Sequence, residues 1–223
     1  MPRSVVRTAT VRCERCLYPP RWCICAGFHT VDCALKIDVL MHDMEALRPS
    51  STGTLIKRVM PSSGQHFFRR ERPLVPSEII DPGKTLWILH PLGEPLPAGQ
   101  DTEALQILLL DGNWRQAARM MRSVESWGRR IRLPMSGESR YWLRSQQGEG
   151  QFSTVEALLF LLQALGFHEE CEQLRLQFEL HVFAGLCSRG RKADAARYLE
   201  TSPLCEAMPE VVRALVARHP QVS

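Results

Sequence analysis

The sequence lacks any apolar run long enough to cross a membrane. Its longest apolar stretch, Val155–Leu165, is interrupted by Glu156 and Gln163 and falls short of the ~18 apolar residues that a span needs. The N-terminal residues MPRSVVRTATVRCERC contain no apolar segment of the signal-peptide kind. Internal repeats and low-complexity tracts are also absent. These absences predict a cytoplasmic protein with no membrane partner, in which disulfides are not expected.

What is present is an ordinary globular composition with an uneven distribution of charge. The 223 residues are 44% hydrophobic and 23% charged, enough for one core and a small appended module. The net charge of +4 is modest, but residues 115–144 hold eight arginines against Glu125 and Glu138, and residues 48–72 are also basic. Such clusters suit a phosphate backbone, although a solvated helix face has the same composition.

Four cysteines lie close together near the N-terminus, in the pattern C-x2-C-x6-C-x-C. Four thiolates at this spacing, in a chain predicted to be cytoplasmic, favour a tetrahedral structural zinc site. The final C-x-C is tighter than the usual C-x2-C, and a redox pair or unrelated thiols are the alternatives. We therefore predict a zinc knuckle formed by Cys13, Cys16, Cys23 and Cys25.

The segment Leu105–Met121, LQILLLDGNWRQAARMM, reads as a buried strand that turns directly into a basic helix. The apolar run up to Leu110 has strand length, and Asp111 follows where the strand should stop. Asn113 is a predicted N-cap for a helix that begins at Trp114. In open α/β folds, ligands bind outside the carboxyl ends of the strands, where Asp111 would lie. A carboxylate at this position also occurs as a simple helix cap.

Similar strand-to-loop junctions recur along the chain. Apolar segments at Ala34–Met41, Leu86–His90 and Ile131–Met135 each run into polar or turn residues. The helix predicted at Gln151–Phe167 begins with an S-x-x-E capping box. This alternation predicts an α/β fold, with a mainly parallel sheet and helices on both faces. The predicted units are the N-terminal zinc knuckle (1–33), an α/β domain (34–167) and a C-terminal helical extension (168–223) with helices at Leu174–Leu186, Ala193–Leu199 and Glu210–Arg218.

Five sequence blocks together resemble one family. ILLLDGNWRQAARMM resembles the D-T-W block of the DTW domain family, and the four-cysteine knuckle resembles that family's N-terminal cysteines. His42 and Glu45 with SSTGTLI, then ILHPLG, then SRYWLR with FSTVEALLFLL, resemble its other blocks in order, from Cys13 to Gly166. The sequence departs from the family's usual proline, asparagine and arginine at Asp43, Ser51 and Thr54.

The resemblance implies a fold and a reaction that the residue patterns alone do not give. The family resembles the tRNA-uridine aminocarboxypropyltransferases of the SPOUT-like superfamily, whose α/β core carries a C-terminal trefoil knot. It implies transfer of the 3-amino-3-carboxypropyl group of S-adenosylmethionine to N3 of a uridine in tRNA, with release of methylthioadenosine. By analogy we expect a monomer with tRNA as its partner and no obligate protein partner.

The predicted site residues follow from these two lines of reasoning. Asp111 and Trp114 are the catalytic candidates, with Asp111 as proton acceptor or, alternatively, as a clamp for the cofactor's amino group or the uracil. Burial beside Trp114 should raise the pKa of Asp111, and Arg115 should lower it. The cofactor candidates are His90, Pro91, Leu92, Gly93, Gly112, Asn113, Leu133, Pro134, Ser153, Thr154 and Glu156. The RNA-binding candidates are Arg48, Arg115, Arg119, Arg140, Tyr141 and Arg144, with Tyr141 able to stack on a base.

Other functions compete with this hypothesis. A related SPOUT-like RNA methyltransferase, or aminocarboxypropyl transfer onto ribosomal RNA, would use a similar site. A zinc-ribbon protein that only binds RNA is the third alternative. The D-x-x-W block argues against it, because binding alone does not need a carboxylate at a strand end. The zinc is expected to be structural, since four cysteines leave no open coordination position.

Overall fold

The protein is built around a five-stranded parallel β-sheet. A computed structural model describes residues 11–144 and 150–217. The strand order is β2-β1-β4-β3-β5, and all four strand pairings are parallel. The strands are β1 (Lys36–His42), β2 (Gly64–Phe68), β3 (Thr85–Pro95), β4 (Leu105–Asp111) and β5 (Arg129–Arg132).

The helices connect these strands and continue after the last one. In the described residues they are α1 (Asp43–Ala46), α2 (Thr52–Val59), α3 (Trp114–Val124), α4 (Thr154–Ala164), α5 (His168–Ser188), α6 (Lys192–Glu200), α7 (Leu204–Ala207) and α8 (Pro209–Ala217). Within the described ranges, no helix combines the length and apolarity that a membrane crossing requires. The predicted end of the last helix, Arg218, lies outside the described residues.

Strand β4 lies at the centre of the sheet and is covered on both sides. Leu108 packs into one core with Met120 and Val124 of α3. Its neighbours Ile107 and Leu109 point the opposite way, into a larger core shared with α2, α4 and α5, because successive side chains of a strand alternate between faces. The predicted parallel sheet with helices on both faces is therefore confirmed.

Three strands differ from their predicted form. β2 was not predicted, since GQHFF shows little alternation and only Phe68 is buried on this edge strand. β5 spans Arg129–Arg132 instead of Ile131–Met135, and Pro134, which lacks a backbone N–H, is unsuited to continue the pairing. β3 runs past His90, with a register irregularity in its pairing to β5 between Leu89 and Glu94.

The N-terminal cysteine segment and the C-terminal helices pack on the same core as the sheet. Tyr18 is buried against α5, where its hydroxyl donates to the carbonyl of His181 (2.9 Å). Arg58 of α2 donates to the carbonyl of Cys16 (3.2 Å). Trp22 and Phe178 belong to this core as well. The three segments distinguished in the sequence are thus joined by shared packing.

Candidate active site

The sheet has a topological switch point between β1 and β4. Helix α2, which follows β1, packs on one face of the sheet, whereas α3, which follows β4, packs on the other. The connections therefore diverge and leave a crevice outside the carboxyl ends of the two strands. Asp111 lies there, at the last position of β4, paired with Met41 of β1.

Asp111 joins the N-termini of two helices. Its side chain accepts hydrogen bonds from the hydroxyls of Thr154, the first residue of α4, and Ser51 (3.3 Å), the N-cap of α2. Gly53 lies so close that a Cβ there would sit 2.6 Å from an oxygen of the carboxylate. The positive ends of both helix dipoles are thus near this carboxylate, which favours its charged form.

The environment of Asp111 changes its acidity. The residue is 6% exposed, and burial raises its pKa. The hydrogen bonds from Thr154 and Ser51 and the charge of Arg144 oppose that rise in pKa. The rise in pKa caused by burial agrees with the predicted effect of burial, but the cation that lowers the pKa of Asp111 is Arg144, where the sequence suggested Arg115.

A second carboxylate and an arginine border the crevice. Burial raises the pKa of Glu45, with a contribution from the charge of Asp111. Arg48 forms an ion pair with Glu45 (2.8 Å), and its side chain is 55% exposed. The Glu45 side chain is only 13% exposed, so the pair is anchored in the crevice while more than half of the Arg48 side chain stays available at the rim.

A cavity of about 340 Å³ opens beside the switch point, between the carboxyl ends of β3 and β4. This volume lies in the range of small-molecule sites. Its walls combine apolar side chains such as Leu89, Met135 and Phe152 with the guanidinium of Arg144. The predicted site residues that line it are His90, Pro91, Gly112, Trp114, Leu133, Ser153, Thr154 and Arg144.

Other predicted cofactor residues lie outside the cavity lining. Leu92 is 82% exposed, and Gly93 packs against the backbone of Ile131, where a Cβ would clash at 2.6 Å. Asn113 caps α3 in a reciprocal capping box with Gln116, as its sequence position predicted for the cap. Pro134 is exposed.

Glu156 holds the loop that precedes α4. It is 6% exposed and accepts hydrogen bonds from the backbone N–H groups of Ser153 (2.6 Å) and Arg140 (2.6 Å). The hydroxyl of Ser139 donates to both of its carboxylate oxygens at 2.9 Å. Glu156 thus acts on the cavity indirectly, by fixing the segment that leads to Ser153.

Some of the predicted RNA-binding residues are exposed, whereas others are bonded within the protein. Arg115 and Arg119 are exposed on α3, and Arg144 is exposed at the cavity. By contrast, Arg140 forms a paired contact with Glu179 of α5. Tyr141 is 7% exposed, and its hydroxyl donates to the carbonyl of Ser50 (2.5 Å). In this conformation Tyr141 cannot stack on a base, and we remove both residues from the candidate RNA surface.

Sequence reasoning missed the partners of Asp111. Ser51 was placed in a hydroxyl-rich loop after the first predicted strand and noted as a departure from the family pattern, but its hydrogen bond to Asp111, which spans 60 residues, was not predicted. Glu45 was noted without a role. Their positions in the sequence could have indicated these contacts, because the loop after β1 and the loop after β4 lie at the same edge of a parallel sheet.

The four N-terminal cysteines converge on one point. Their sulfur atoms all lie within 4.8 Å of one another, with Cys13 and Cys25 3.5 Å apart and Cys16 and Cys23 3.8 Å apart. Tetrahedral coordination by zinc at about 2.3 Å per sulfur gives edges of about 3.8 Å, whereas a disulfide needs about 2.05 Å. The donor set and its geometry therefore fit a metal ion.

The four neighbouring cysteines differ in acidity. Backbone hydrogen bonding from Cys16 lowers the pKa of Cys13 to about 6. Burial raises the pKa of Cys25, and the neighbouring thiols raise it further. A bound divalent cation would offset this repulsion and stabilise the thiolates.

These features define a class of protein: a parallel α/β protein with a crevice at a topological switch point and a cluster of four cysteines that could hold a metal ion. The chain belongs to the DTW domain family, since the DTW domain matches residues 10–187. A tRNA-uridine aminocarboxypropyltransferase 2 from Drosophila melanogaster is 26% identical over 175 residues, which cover 73% of this chain and 69% of that protein. No solved structure matches the chain. The family resemblance in the sequence is thereby confirmed.

Proposed function

We propose that this protein transfers the 3-amino-3-carboxypropyl group of S-adenosylmethionine to N3 of a uridine in tRNA, with release of methylthioadenosine. Membership of the DTW domain family and the name of the Drosophila relative support tRNA modification by a transferase. The observation that carries the proposal is the buried carboxylate of Asp111 at the switch point, directly beside a ligand-sized cavity.

The cavity suits the proposed cofactor in size and chemistry. The apolar walls around Leu89, Leu133 and Phe152 would hold an adenine ring, and the guanidinium of Arg144 would pair with a carboxylate. S-adenosylmethionine supplies, when bound, a carbon beside its sulfonium that is open to attack by a nucleophile. The walls must orient that carbon toward the uracil, because orientation separates this transfer from methylation.

In this proposal Asp111 accepts the proton of uracil N3. An ordinary aspartate has a pKa of about 3.9, too low for an efficient base near neutrality, and burial raises the pKa of Asp111. Ser51 and Thr154 donate hydrogen bonds that fix the carboxylate's orientation. Trp114, 54% exposed at the cavity wall, would stack on the uracil after the base leaves its loop.

The proposal includes the features that the family resemblance implies. They are a SPOUT-like fold with a trefoil knot in the C-terminal part of the segment 34–167, a structural Zn²⁺ held by the four cysteines, and a cytoplasmic monomer that binds tRNA. The proximity of the sulfur atoms supports the zinc site. The parallel sheet with helices on both faces supports the fold class.

The decisive experiment uses S-adenosylmethionine labelled in the methyl carbon or in the carboxyl carbon, incubated with tRNA or with ribosomal RNA. We expect carboxyl label on tRNA. Methyl label alone would identify a methyltransferase, label on ribosomal RNA alone would change the substrate, and no label with either donor would leave only RNA binding.

Asp111→Asn should abolish transfer with the fold intact by circular dichroism. Near-wild-type transfer by this variant would remove Asp111 from the chemistry.

A further inference from the structure

We propose that the turn Arg69–Arg72 at the end of β2, together with the notch beside it, is a second RNA contact site that holds unpaired nucleotides next to the target uridine. The inference rests on the proposed function for the identity of the partner as RNA. Neither the family match nor the named relative assigns a role to this turn.

The turn lies at the same sheet edge as the catalytic crevice. β2 and β4 both pair in parallel with β1, so that Met41 of β1 faces Asp111 on one side and Phe67 on the other. Two strand spacings, about 10 Å, therefore separate the end of β2 from the end of β4. A nucleotide chain that places one base at Asp111 can reach the end of β2 within a few nucleotides.

The turn carries a net positive charge, with three arginines against Glu71. Arg69 and Arg72 form a backbone bridge, so the sequence Arg-Arg-Glu-Arg is folded into a tight hairpin tip in which all four side chains are exposed. Arg72 lies 3.6 Å from Glu78, but both side chains are largely exposed, and such pairs exchange partners at little cost. Phosphate groups are the partners that exposed arginines of this kind bind bidentately.

The notch next to the turn has the chemistry of a base or a ribose site. Its volume is about 150 Å³, and Phe67, Val75, His66 and Arg69 contribute to its lining. This is below the volume of small-molecule sites, so the notch suits one unit of a longer chain. Phe67 is 41% exposed and Val75 42% exposed, which offers an apolar surface for stacking.

The rest of the edge favours unpaired nucleotides over a duplex. Large apolar side chains are exposed near the carboxyl ends of other strands too: Leu47 (87%) after β1, Leu92 (82%) in the last part of β3 and Trp114 (54%) after β4. A duplex presents mainly phosphates and sugars, and cannot use these surfaces, whereas unstacked bases of a loop can. Exposed arginines and exposed apolar side chains therefore occur together at one edge of the sheet, as a site for a single-stranded loop requires.

The test compares RNA binding by the full-length protein and by Arg70→Ala, Arg69→Ala and Phe67→Ala variants, without S-adenosylmethionine. The probe is unmodified tRNA over a series of salt concentrations. Each arginine variant should bind about three- to tenfold more weakly at low salt and reduce the slope of log K against log salt by about 0.7, because one phosphate contact is lost. Phe67→Ala should weaken binding at least about fivefold with an unchanged slope, because stacking releases no counterions.

Arg213→Ala is the matched control, since Arg213 lies on α8 in an exposed pair with Glu210, and should bind like the wild type. Slopes and affinities of the three variants equal to those of this control would overturn the proposal. Competition by a duplex as strong as by a single strand of the same sequence would overturn the preference for unpaired nucleotides. The wild type could transfer no label from S-adenosylmethionine to RNA while the arginine variants still show a smaller slope of log K against log salt. This result would refute the proposed function and support the RNA site at the turn.

Discussion

The contact between Arg140 and Glu179 gives the sharpest quantitative test of the structure. The guanidinium donates two hydrogen bonds to the carboxylate, at 3.0 and 2.8 Å. It also donates to the hydroxyl of Thr201 (2.7 Å) and lies 4.0 Å from the centre of the Tyr198 ring. One side chain thus ties the loop after β5 to α5 and α6.

Replacing Glu179 by glutamine removes the negative charge and keeps the shape. The Glu179 side chain is 4% exposed and that of Arg140 26% exposed, so the arginine would be left partly desolvated without its counter-charge. Loss of one partner of a buried pair costs about 3–5 kcal/mol, and partial access of water to Arg140 places the expected cost near 3 kcal/mol. At about 2–4 °C per kcal/mol for a chain of this size, Tm should fall by about 6–12 °C.

Thermal and urea unfolding, followed by circular dichroism, measure this effect directly. The double variant Arg140→Met with Glu179→Met should recover most of the lost stability, because replacing both charges leaves neither one buried alone. A cost below about 1 kcal/mol for Glu179→Gln would refute the reasoning. An Arg140→Ala variant with wild-type stability and weakened tRNA binding would return Arg140 to the RNA surface.

Three further predictions concern the active site and the metal. Gly53→Ala should lower kcat at least about tenfold, because the new Cβ would lie 2.6 Å from a carboxylate oxygen of Asp111 and displace it. Gly83→Ala is the control, since a Cβ fits there. Equal kcat values for the two variants would contradict the prediction. Because burial raises the pKa of Asp111, the folded state holds this proton to higher pH than the unfolded chain. Its contribution to stability is therefore present below the unfolded pKa of about 3.9 and is lost as pH rises through the folded pKa. Urea titrations should show this dependence in the wild type and not in Asp111→Asn. Metal analysis should find one zinc per chain, and a strong chelator should lower Tm; a folded, metal-free protein with unchanged Tm would exclude the zinc site.

Features specified by neighbouring residues could be predicted from the sequence. The buried strand β4, the cap at Asn113 and the helix from Trp114 are all set within a few residues, by an apolar run, a breaker pair and helical spacing. The capping box that starts α4 is equally local. Such patterns identify elements because backbone geometry and capping act over one or two turns.

Features that depend on distant partners could not be predicted. β2 is an edge strand whose sequence gives little sign of pairing, and it is held by β1. The interleaved arginine and aromatic residues around Arg140 resemble a nucleic-acid-binding motif. The guanidinium instead donates to Glu179 of α5, 39 residues further along the chain. Periodicity cannot distinguish a side chain that faces solvent from one that faces a later helix.

The contacts of Asp111 also have a consequence for the order of folding. Its two hydroxyl partners lie 60 residues before it and 43 residues after it in the chain. During synthesis the carboxylate therefore stays incompletely held until α4 has emerged and docked. Contacts of such sequence separation form late, because closing long loops costs entropy before the contact is gained. The site around Asp111 is therefore among the last parts of the fold to be completed, although the strand that carries it is made earlier.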